Sequence, residues 1–316
     1  MEFNKIILLG PAKNGGVKEV NDSLYVGFQQ LGKEVIYIKR KVEMIKYLFK
    51  SKNRKDILCI SSLSFGVFGV FFKHSIFILH GYPYARFLNK IKFKLNVWGH
   101  KFCSRLNSKT VSVSFLTQFV WDNFFFLKSD FVIHNPETLS TLSVDKPEIK
   151  TLKSLVFTGR IVKTKNLDLI LKAVSYYRQN INSNLQFHII GDGPDLKELK
   201  KTFDEENNFF HGYVSAEEKL LIMKSASVFI SLNEGEPYGL TTLEARLMGL
   251  KCILPAIGGH IEFVDKNSLF LVNDIQSETQ IAQTIHAALE PNKTESIFKN
   301  EFAPMIIAQK YLDCFK

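Results

Sequence analysis

The sequence has few cysteines and no long apolar run. Its four cysteines, Cys59, Cys103, Cys252 and Cys314, include no Cys-x-x-Cys pair, which argues against a zinc ribbon or a dithiol redox site. The longest stretch without a charged residue, 57–72, has sixteen residues interrupted by serine and glycine, fewer than the roughly 20 that a membrane-spanning helix needs. We therefore expect reduced structural thiols, no bound metal and no transmembrane segment.

The start of the chain also lacks the features of a secretion signal. Residues 1–10 contain no basic stretch followed by a long apolar region and a small-residue cleavage site. Hydrophobic residues make up 46% and charged residues 23% of the chain, as in ordinary globular proteins. These features predict a cytoplasmic protein.

The excess of positive charge lies entirely in the first half of the sequence. Residues 1–150 hold 23 Lys and Arg against 11 Asp and Glu, whereas residues 151–316 hold 18 against 20. The first half therefore carries a net charge of +12 and the second half −2. Such asymmetry indicates an anionic partner for the first half, with membrane phospholipid and nucleic acid as the candidates.

Short apolar runs alternate with helical patterns along almost the whole chain, which is typical of parallel sheets built from β-α-β units. A chain of 316 residues is about twice the usual domain length. We predict an α/β protein with domains at 1–148 and 149–299, connected by a polar hinge at 139–151. The predicted strands are 5–9, 34–38, 57–60, 75–79, 110–113, 131–133, 154–157, 185–190 and 228–232.

Capping signals and apolar spacing predict two helices in the second half of the chain. Ser215 followed by Glu218 forms a capping box, so a helix should run from there to about Ala226. The chain should end in a helix within 300–316, which presents on or near one face Met305, Ile306, Ala308, Tyr311 and Leu312.

The segment after strand 228–232 carries Glu236 and Glu244, which are separated by seven residues. Pro237 and Gly239 favour a turn, and a helix begins near Thr241, so the backbone N–H groups of three residues should lie at its positive end: Tyr238, Gly239 and Leu240. Such a helix end binds phosphate, and a carboxylate beside it can accept hydrogen bonds from sugar hydroxyls. The alternative is a pair of solvated surface residues. A glycosidase pair is disfavoured because eight helical residues span roughly 12 Å.

Other loops at predicted strand ends carry polar or glycine residues. Arg160 and Lys165 follow Gly159, and both can reach a diphosphate, although exposed basic residues beside a strand are an equal alternative. The turns at Gly191 and His211-Gly-Tyr213 belong to the same rim if the sheet is open and parallel. Ordinary turn chemistry explains each of them as well.

The first half offers its own strand-end residues. Gly15 and Gly16 follow the first strand but do not form the dinucleotide Gly-x-Gly-x-x-Gly fingerprint. His80 follows strand 75–79 and either orders a substrate sugar or serves as a structural hydrogen-bond partner.

A basic, aromatic segment occupies residues 39–105. Val42, Ile45, Leu48 and Phe49 lie near one helical face with lysines around it, which is the pattern of a helix at a membrane interface. Between Arg86 and Arg105, six basic residues alternate with aromatic ones, namely Phe87, Phe93, Trp98 and Phe102. The alternative is a set of core-facing helices with solvated lysines.

Taken in order, these segments resemble the family 4 retaining glycosyltransferases over nearly the whole chain. The resemblance rests on Gly15-Gly16, His80-Gly81, Asn135-Pro136, Gly159-Arg160, Lys165-Asn166, Gly191-Asp-Gly-Pro, His211-Gly-Tyr, Glu236 to Glu244, and Gly258-Gly-His-Ile-Glu. It implies a GT-B fold, in which two Rossmann-like, doubly wound parallel-sheet domains face each other across a cleft. The helix at 300–316 would cross back onto the first domain.

The same resemblance implies roles for individual residues. Arg160 and Lys165 would bind the donor diphosphate, Glu236 the donor-sugar hydroxyls and Glu244 the ribose. Gly239 and Leu240 would donate backbone N–H groups to the phosphate, and the region of Tyr213 would border the base. His80 would face the reacting sugar, and Gly16 would approach the donor from the other domain. Such enzymes need no cofactor, and the chain contains no Asp-x-Asp metal signature.

The implied activity is retaining transfer from a nucleotide diphosphate sugar by front-face attack. A saccharide acceptor on a lipid carrier, at the inner face of a membrane, suits the +12 half, so anionic membrane rather than nucleic acid is the expected contact. Capsule or O-antigen assembly is the expected setting. The alternatives are a non-catalytic membrane- or nucleic-acid-binding protein on a degenerate fold, a phosphorylase, or a nucleotide-sugar epimerase.

Overall fold

A computed structural model describes residues 3–12, 15–50, 54–83, 89–138, 153–291 and 300–316. The chain divides into two compact units, the first made of Met1–Ser140 with Asn300–Lys316 and the second of Thr141–Lys299. The predicted boundary at 148/149 and the predicted hinge at 139–151 lie outside the described residues.

The first unit contains a six-stranded parallel sheet with strand order β2-β1-β3-β4-β5-β6. Its strands are β1 Lys5–Leu9, β2 Glu34–Ile38, β3 Ile57–Ser61, β4 His74–Leu79, β5 Lys109–Ser112 and β6 Phe131–Val132. Its helices are α1 Gly16–Gln30, α2 Lys41–Lys50, α3 Lys90–Arg105, α4 Phe115–Phe124 and α10 Pro304–Asp313, with a 3₁₀ helix at Gly66–Phe71.

The second unit repeats this architecture with the strand order β12-β11-β10-β7-β8-β9, again all parallel. The strands are β7 Ser154–Thr158, β8 Gln186–Ile190, β9 Asn208–Gly212, β10 Val228–Ile230, β11 Lys251–Pro255 and β12 Leu269–Val272. The helices are α5 Leu167–Asn180, α6 Leu196–Thr202, α7 Ala216–Ser225, α8 Leu240–Leu247 and α9 Glu278–Leu289. Two parallel sheets flanked by helices confirm the predicted α/β class.

The connections of the first unit place most of its helices on one face of the sheet. Met44 of α2 packs with Ile7 and Cys59, and Cys103 of α3 packs with Phe77. The register pairs Cys59 with Ser75 and Ser61 with Phe77, so Cys59 and Phe77 point to the same side because side chains alternate along a strand. The helices α2 and α3 therefore share one face.

The other face of this sheet is covered by α1 and α10. The connection from β1 to β2 runs in the direction opposite to the later ones, so a right-handed crossover puts α1 on the opposite face. There α1 contacts α10 so closely that a Cβ on Gly27 would lie 2.2 Å from the carbonyl oxygen of Pro304.

The structure confirms the last helix and buries three of the five residues predicted on or near one face, namely Ala308, Tyr311 and Leu312. Met305 and Ile306 are 41% and 39% exposed, whereas Ile307 is fully buried together with Ala308 and Tyr311. The helix begins at Pro304, and its buried stripe is set by contact with α1, which apolar spacing alone did not identify.

A glycine substitution tests the contact between α1 and α10. We expect Gly27→Ala to destabilise the first unit by about 2 kcal/mol, because its methyl group overlaps backbone atoms that cannot yield locally. Gly99→Ala in α3 is the matched control, since its Cβ would meet only Leu63 Cδ1 at 3.4 Å, and helix propensity should make it neutral or stabilising by roughly 0.5–1 kcal/mol.

The measurement is the urea unfolding midpoint followed by tryptophan fluorescence, because both tryptophans, Trp98 and Trp121, lie in the first unit. Equal midpoints for the two variants would contradict the close packing of α1 on α10.

Candidate functional site

The candidate site of the second unit is built at the carboxyl edge of its sheet, where three strand-end loops meet. Gly159 after β7 donates its N–H to Ile190 O at 3.0 Å, and Gly191 after β8 donates to Gly212 O at 2.8 Å. Gly191 has φ +137°, and a Cβ there would lie 1.9 Å from Gly159 O. Glycine is required at this position, and the bond from Gly191 to Gly212 places the turns at Gly191 and His211-Gly-Tyr213 side by side, as the rim prediction expected.

An ion pair joins two of the predicted site residues. Lys165 Nζ donates to Glu236 Oε2 at 2.8 Å, and Asn233 Nδ2 donates to the same oxygen at 2.8 Å. Lys165 ends the 3₁₀ helix Lys163–Lys165. The next residue, Asn166, is left-handed and donates its side chain to Leu232 O at 2.7 Å. This bond ties the start of α5 to the loop after β10 and so holds Lys165 against Glu236.

Glu236 remains charged in its largely buried position. Burial alone would raise its pKa, but attraction to Lys165, the Lys165 hydrogen bond and the Asn233 hydrogen bond together lower the pKa below its usual range. The site therefore presents an ionised carboxylate whose negative charge is balanced by Lys165. An incoming anion that binds Lys165 would release Glu236 oxygens to accept other donors.

The helix α8 starts beside this pair. Its N-cap is Gly239, with φ +94°, a conformation that favours glycine. The first N–H groups of the helix, at Leu240 and Thr241, have no partner within the helix. Tyr238 is buried and packs against Phe263 with ring centroids 5.0 Å apart. The packing of Tyr238 on Phe263 thus holds the loop in place, and the N-terminus of α8 is suited to bind an anion.

His260 is a residue of this site that the sequence analysis did not select. It lies in the 3₁₀ helix Gly259–Phe263. A Cβ added to Gly239 would lie 2.6 Å from the Cβ of His260. Both its ring nitrogens are buried without a hydrogen-bond partner among the described residues. Burial lowers its pKa to about 4, opposed by Glu236 and assisted by Lys165. The imidazole is therefore neutral at physiological pH.

The second predicted carboxylate, Glu244, has its own lysine. Lys219 on α7 donates to both carboxylate oxygens of Glu244, at 2.8 and 2.9 Å. Glu244 is 2% exposed, so the structural alternative of a helix-surface residue is wrong for it. Lys219 was missed because it lies in no recognisable motif, and only the fold brings α7 against α8.

Two further predicted residues lie outside this network. Arg160 is exposed just after β7, and Tyr213 is 78% exposed just after β9. Both stand at the ends of strands in the same sheet, so their roles in binding stay predictions.

The first unit holds the remaining candidates, of which His80 lines a cavity of about 560 Å³. Gly15 is the N-cap of α1, which begins at Gly16, and His80 follows β4. His80 is one of the residues that line the cavity, with Pro11, Val17, Ser62, Leu63, Ser64, Ile78, Gly81, Tyr82, Pro83, Asn96 and His100.

His80 is held neutral. Its Nε2 atom is buried without a partner among the described residues. Burial, and secondarily His100, lower its pKa to about 4. Both predicted roles of His80, ordering a substrate sugar and serving as a structural hydrogen-bond partner, therefore stay predictions.

Two searches of the described part of the chain gave no candidates. None of its groups of His, Cys, Asp and Glu side chains is arranged to hold a metal ion. None of its helices is long and apolar enough to cross a membrane.

Sequence comparison identifies relatives of this chain. The family model described as "Glycosyl transferases group 1" matches residues 141–302, just over half of the chain. An uncharacterized glycosyltransferase of Methanocaldococcus jannaschii is 26% identical over 72% of the chain and 62% of its own length. The alpha-monoglucosyldiacylglycerol synthase of Acholeplasma laidlawii is 31% identical over 46% of the chain and 37% of its own length. The alignments thus span less than two thirds of these relatives.

Solved structures share the fold. The lipopolysaccharide outer core galactosyltransferase WaaB superposes with a TM-score of 0.68 over 98% of the chain and 99% of its own length, at 15% identity. Anabaena HepE in complex with UDP-glucose superposes with a TM-score of 0.69 over 98% of the chain and 99% of its own length, at 14% identity. These likenesses show that the predicted GT-B fold, with two Rossmann-like parallel-sheet domains, is correct.

The buried neutral His260 predicts a pH dependence of stability. In the unfolded chain this side chain binds a proton below about pH 6.5, but in the folded protein only below about pH 4. Because the unfolded state then binds more protons, stability is lost as pH falls from about 6.5 to 4, by the order of 3 kcal/mol for this group. We expect His260→Gln to flatten that loss.

The measurement is calorimetric unfolding of the full chain across this pH range. His286→Gln, at an exposed position of the same unit, is the control and should keep the wild-type dependence. Identical slopes for His260→Gln and wild type would show that His260 is not held neutral.

Proposed function

Since this chain belongs to the group 1 glycosyl transferases, we propose that it transfers a sugar from a nucleotide diphosphate sugar to a saccharide acceptor. We further propose that the anomeric configuration is retained and that no divalent metal or other cofactor takes part. The observation that carries the proposal is the Lys165–Glu236 pair beside the start of α8, which combines a cation, a carboxylate and a helix N-terminus.

The donor is proposed to bind by replacing the internal ion pair. Lys165 and Arg160 would bind the diphosphate together with the backbone N–H groups at Gly239 and Leu240, because cations and a helix end both favour phosphate. Glu236, released from Lys165, would then accept hydrogen bonds from sugar hydroxyls. The remaining donor contacts are proposed for the ribose at Glu244 and for the base near Tyr213.

Burial supports the assignment of Glu244 to the ribose. Its carboxylate is held by Lys219 through both oxygens, but each carboxylate oxygen can accept more than one hydrogen bond. Lys219 therefore fixes the rotamer and the charge of Glu244. A pre-positioned acceptor of this kind lowers the entropy lost on binding.

In the proposed reaction the bond from the anomeric carbon to the phosphate oxygen breaks while the acceptor oxygen attacks the same face. The acceptor hydroxyl proton passes to the departing phosphate oxygen. The residues contribute positioning and charge stabilisation, since Lys165 and Arg160 stabilise the negative charge that grows on the diphosphate. His80, with its pKa of about 4, is too weak a base to hold that proton and is proposed to bind the reacting sugar. Gly15 and Gly16 are proposed to contact the donor.

The proposed setting is surface-glycan assembly at the inner face of the cytoplasmic membrane. The relatives include an O-antigen biosynthesis glycosyltransferase of Escherichia coli, 25% identical over 51% of the chain, and a glucosyldiacylglycerol synthase. The net charge of +12 in residues 1–150 supports peripheral contact with an anionic membrane and a lipid-linked acceptor. These two features support capsule or O-antigen synthesis as the proposed setting.

Donor binding is tested by thermal shift with UDP, GDP, dTDP, CMP and their sugar conjugates. We expect one nucleotide family to stabilise the protein. In Arg160→Ala with Lys165→Met, affinity for that nucleotide should fall by about tenfold to a thousandfold, since two charge-assisted contacts are lost. Lys172→Ala is the control, because Lys172 is exposed on α5. If no nucleotide shifts the unfolding temperature, or the control loses as much affinity, the donor site is wrongly assigned.

The stereochemistry and the metal requirement are tested on the product. With the donor identified above and a panel of saccharide acceptors, the anomeric proton coupling in NMR should match the configuration of the donor sugar. Activity should persist in excess EDTA, because a cation and a helix end replace the metal. An inverted product, or activity lost with EDTA and restored by magnesium or manganese, would contradict the proposed mechanism.

A further inference from the structure

The positive charge of the first unit is concentrated in one stretch of sequence. Residues 39–109 hold 16 Lys and Arg but only two acidic residues, Glu43 and Asp56. Their net charge of +14 exceeds the +10 of the whole chain. This stretch contains α2, the 3₁₀ helix Gly66–Phe71 and α3, which all connect strands on the same face of the sheet.

These three elements also form one continuous layer. The 3₁₀ helix contacts α3, because a Cβ on Gly66 would lie 2.6 Å from Cys103 Cβ. It is linked to α2 through Arg54, whose guanidinium donates to Leu48 O at 2.8 Å and to Phe71 O at 3.4 Å. We call the outer surface of these three elements the basic apolar face.

The helix α3 has its apolar stripe on the outside. Ile91, Leu95, Trp98 and Phe102 are 72%, 62%, 63% and 41% exposed. Their spacing of four, three and four residues places them within an arc of about 60° on the helix. Trp98 stacks on Phe102 with centroids 5.2 Å apart.

Polar and buried side chains take the opposite side of α3. Cys103 is buried there, and His100 packs against Trp121 at 4.7 Å. A surface helix normally turns its apolar stripe toward the core, so the outward stripe of α3 needs another apolar environment. Lysines and one arginine border the stripe, at Lys90, Lys92, Lys94, Lys101 and Arg105.

The same arrangement continues over the rest of the face. On α2, Met44 is buried, whereas Val42, Ile45 and Phe49 are 62%, 45% and 85% exposed. The predicted interfacial face of α2 is thus outward for these three residues, while Leu48 packs against the core. The 3₁₀ helix adds exposed side chains at Val67, Val70 and Phe71. Of the aromatics predicted in the basic segment, Phe93 packs against Phe125 and Phe87 lies outside the described residues.

We propose that the basic apolar face is a bilayer-binding surface, in which α3 lies flat in the lipid headgroup region. Ile91, Leu95, Trp98 and Phe102 reach the acyl boundary while the bordering lysines bind anionic headgroups. At 16 residues, α3 is about 24 Å long, which suits a helix that lies in the interface rather than across it. The inference names the membrane surface that the proposed lipid-linked acceptor would require, and in this respect it rests on the proposed function.

The side-chain chemistry favours a bilayer over other anionic partners. Nucleic acid would use the lysines, but its phosphate backbone offers no apolar surface for Ile91, Leu95, Val42 or Val70. A bilayer matches both features at once, because apolar side chains enter the acyl region and long lysine side chains extend to the headgroups. Tryptophan in particular is enriched at membrane interfaces.

Tryptophan fluorescence provides a direct test with the full chain. The protein has two tryptophans, of which Trp98 is 63% exposed and Trp121 is fully buried. Vesicles of phosphatidylcholine with phosphatidylglycerol should shift the emission to the blue and protect it from acrylamide, and Trp98→Phe should abolish both changes. Pure phosphatidylcholine vesicles should bind at least about tenfold more weakly, and salt should weaken binding to the anionic vesicles.

Two matched pairs of variants localise the contact. Lys90→Glu, Lys94→Glu and Lys101→Glu on α3 should reduce vesicle affinity by at least about tenfold. The same reversals at Lys197, Lys200 and Lys201 on α6 of the second unit change the net charge equally and should have little effect. Leu95→Ala with Phe102→Ala should likewise weaken binding, whereas Leu221→Ala, at a position 66% exposed on α7, should not.

Three results would overturn the proposal. The first is an unchanged Trp98 emission with anionic vesicles, and the second is an equal loss of affinity in the α6 and α3 variants. The third is a soluble oligomer that the α3 substitutions dissociate while vesicle binding stays the same, since the face would then bind protein. Nucleotide thermal shifts should be unaffected by every α3 variant, so failure here is distinguishable from failure of the donor site.

Discussion

Both sheets are built entirely from parallel strands, and this pairing determines where the helices and the strand-end loops lie. Each parallel connection must return over a face of the sheet, and the right-handed crossover decides which face. In the first unit this rule puts α2, the 3₁₀ helix and α3 together, so a local excess of lysine in residues 39–109 becomes one continuous basic surface. In the second unit it gathers the loops after β7, β8 and β10 at one edge, where Lys165 meets Glu236 across 71 residues of sequence.

Buried parallel strands were the most predictable elements because each is a short apolar run between turn residues. β1 and β2 match their predicted bounds, and β3, β4 and β7 differ by one residue. Local chemistry also sufficed for the α7 N-terminus, where Ser215 Oγ accepts from the Glu218 N–H at 3.1 Å. Three of the five residues predicted to share a face of the last helix are buried, namely Ala308, Tyr311 and Leu312. Met305 and Ile306 are not, because the buried stripe is set by contact with α1, which is distant in sequence.

Candidate site residues could be predicted where a charged side chain and a turn-forming residue lie close together in sequence, as at Glu236 and Gly239. Their partners could not. Lys219 looks like any helix-surface lysine until α7 packs against α8 and brings it to both oxygens of Glu244. His260 stands in the segment Gly258-Gly-His-Ile-Glu, which the sequence analysis quoted without giving the histidine a role, and its burial beside Gly239 is a tertiary property. In both cases the missing information was distance in space, which periodicity and spacing do not contain.

The ion pairs of the second unit explain how buried carboxylates are tolerated near an anion site. Two carboxylates at a helix N-terminus would repel a phosphate, but Lys165 and Lys219 neutralise Glu236 and Glu244 one to one. A diphosphate that takes Lys165 leaves Glu236 buried without its cation, which is costly unless new donors reach it. Sugar hydroxyls are such donors. The pair therefore favours a ligand that carries an anion and hydroxyl groups together, which is the chemistry of a nucleotide sugar.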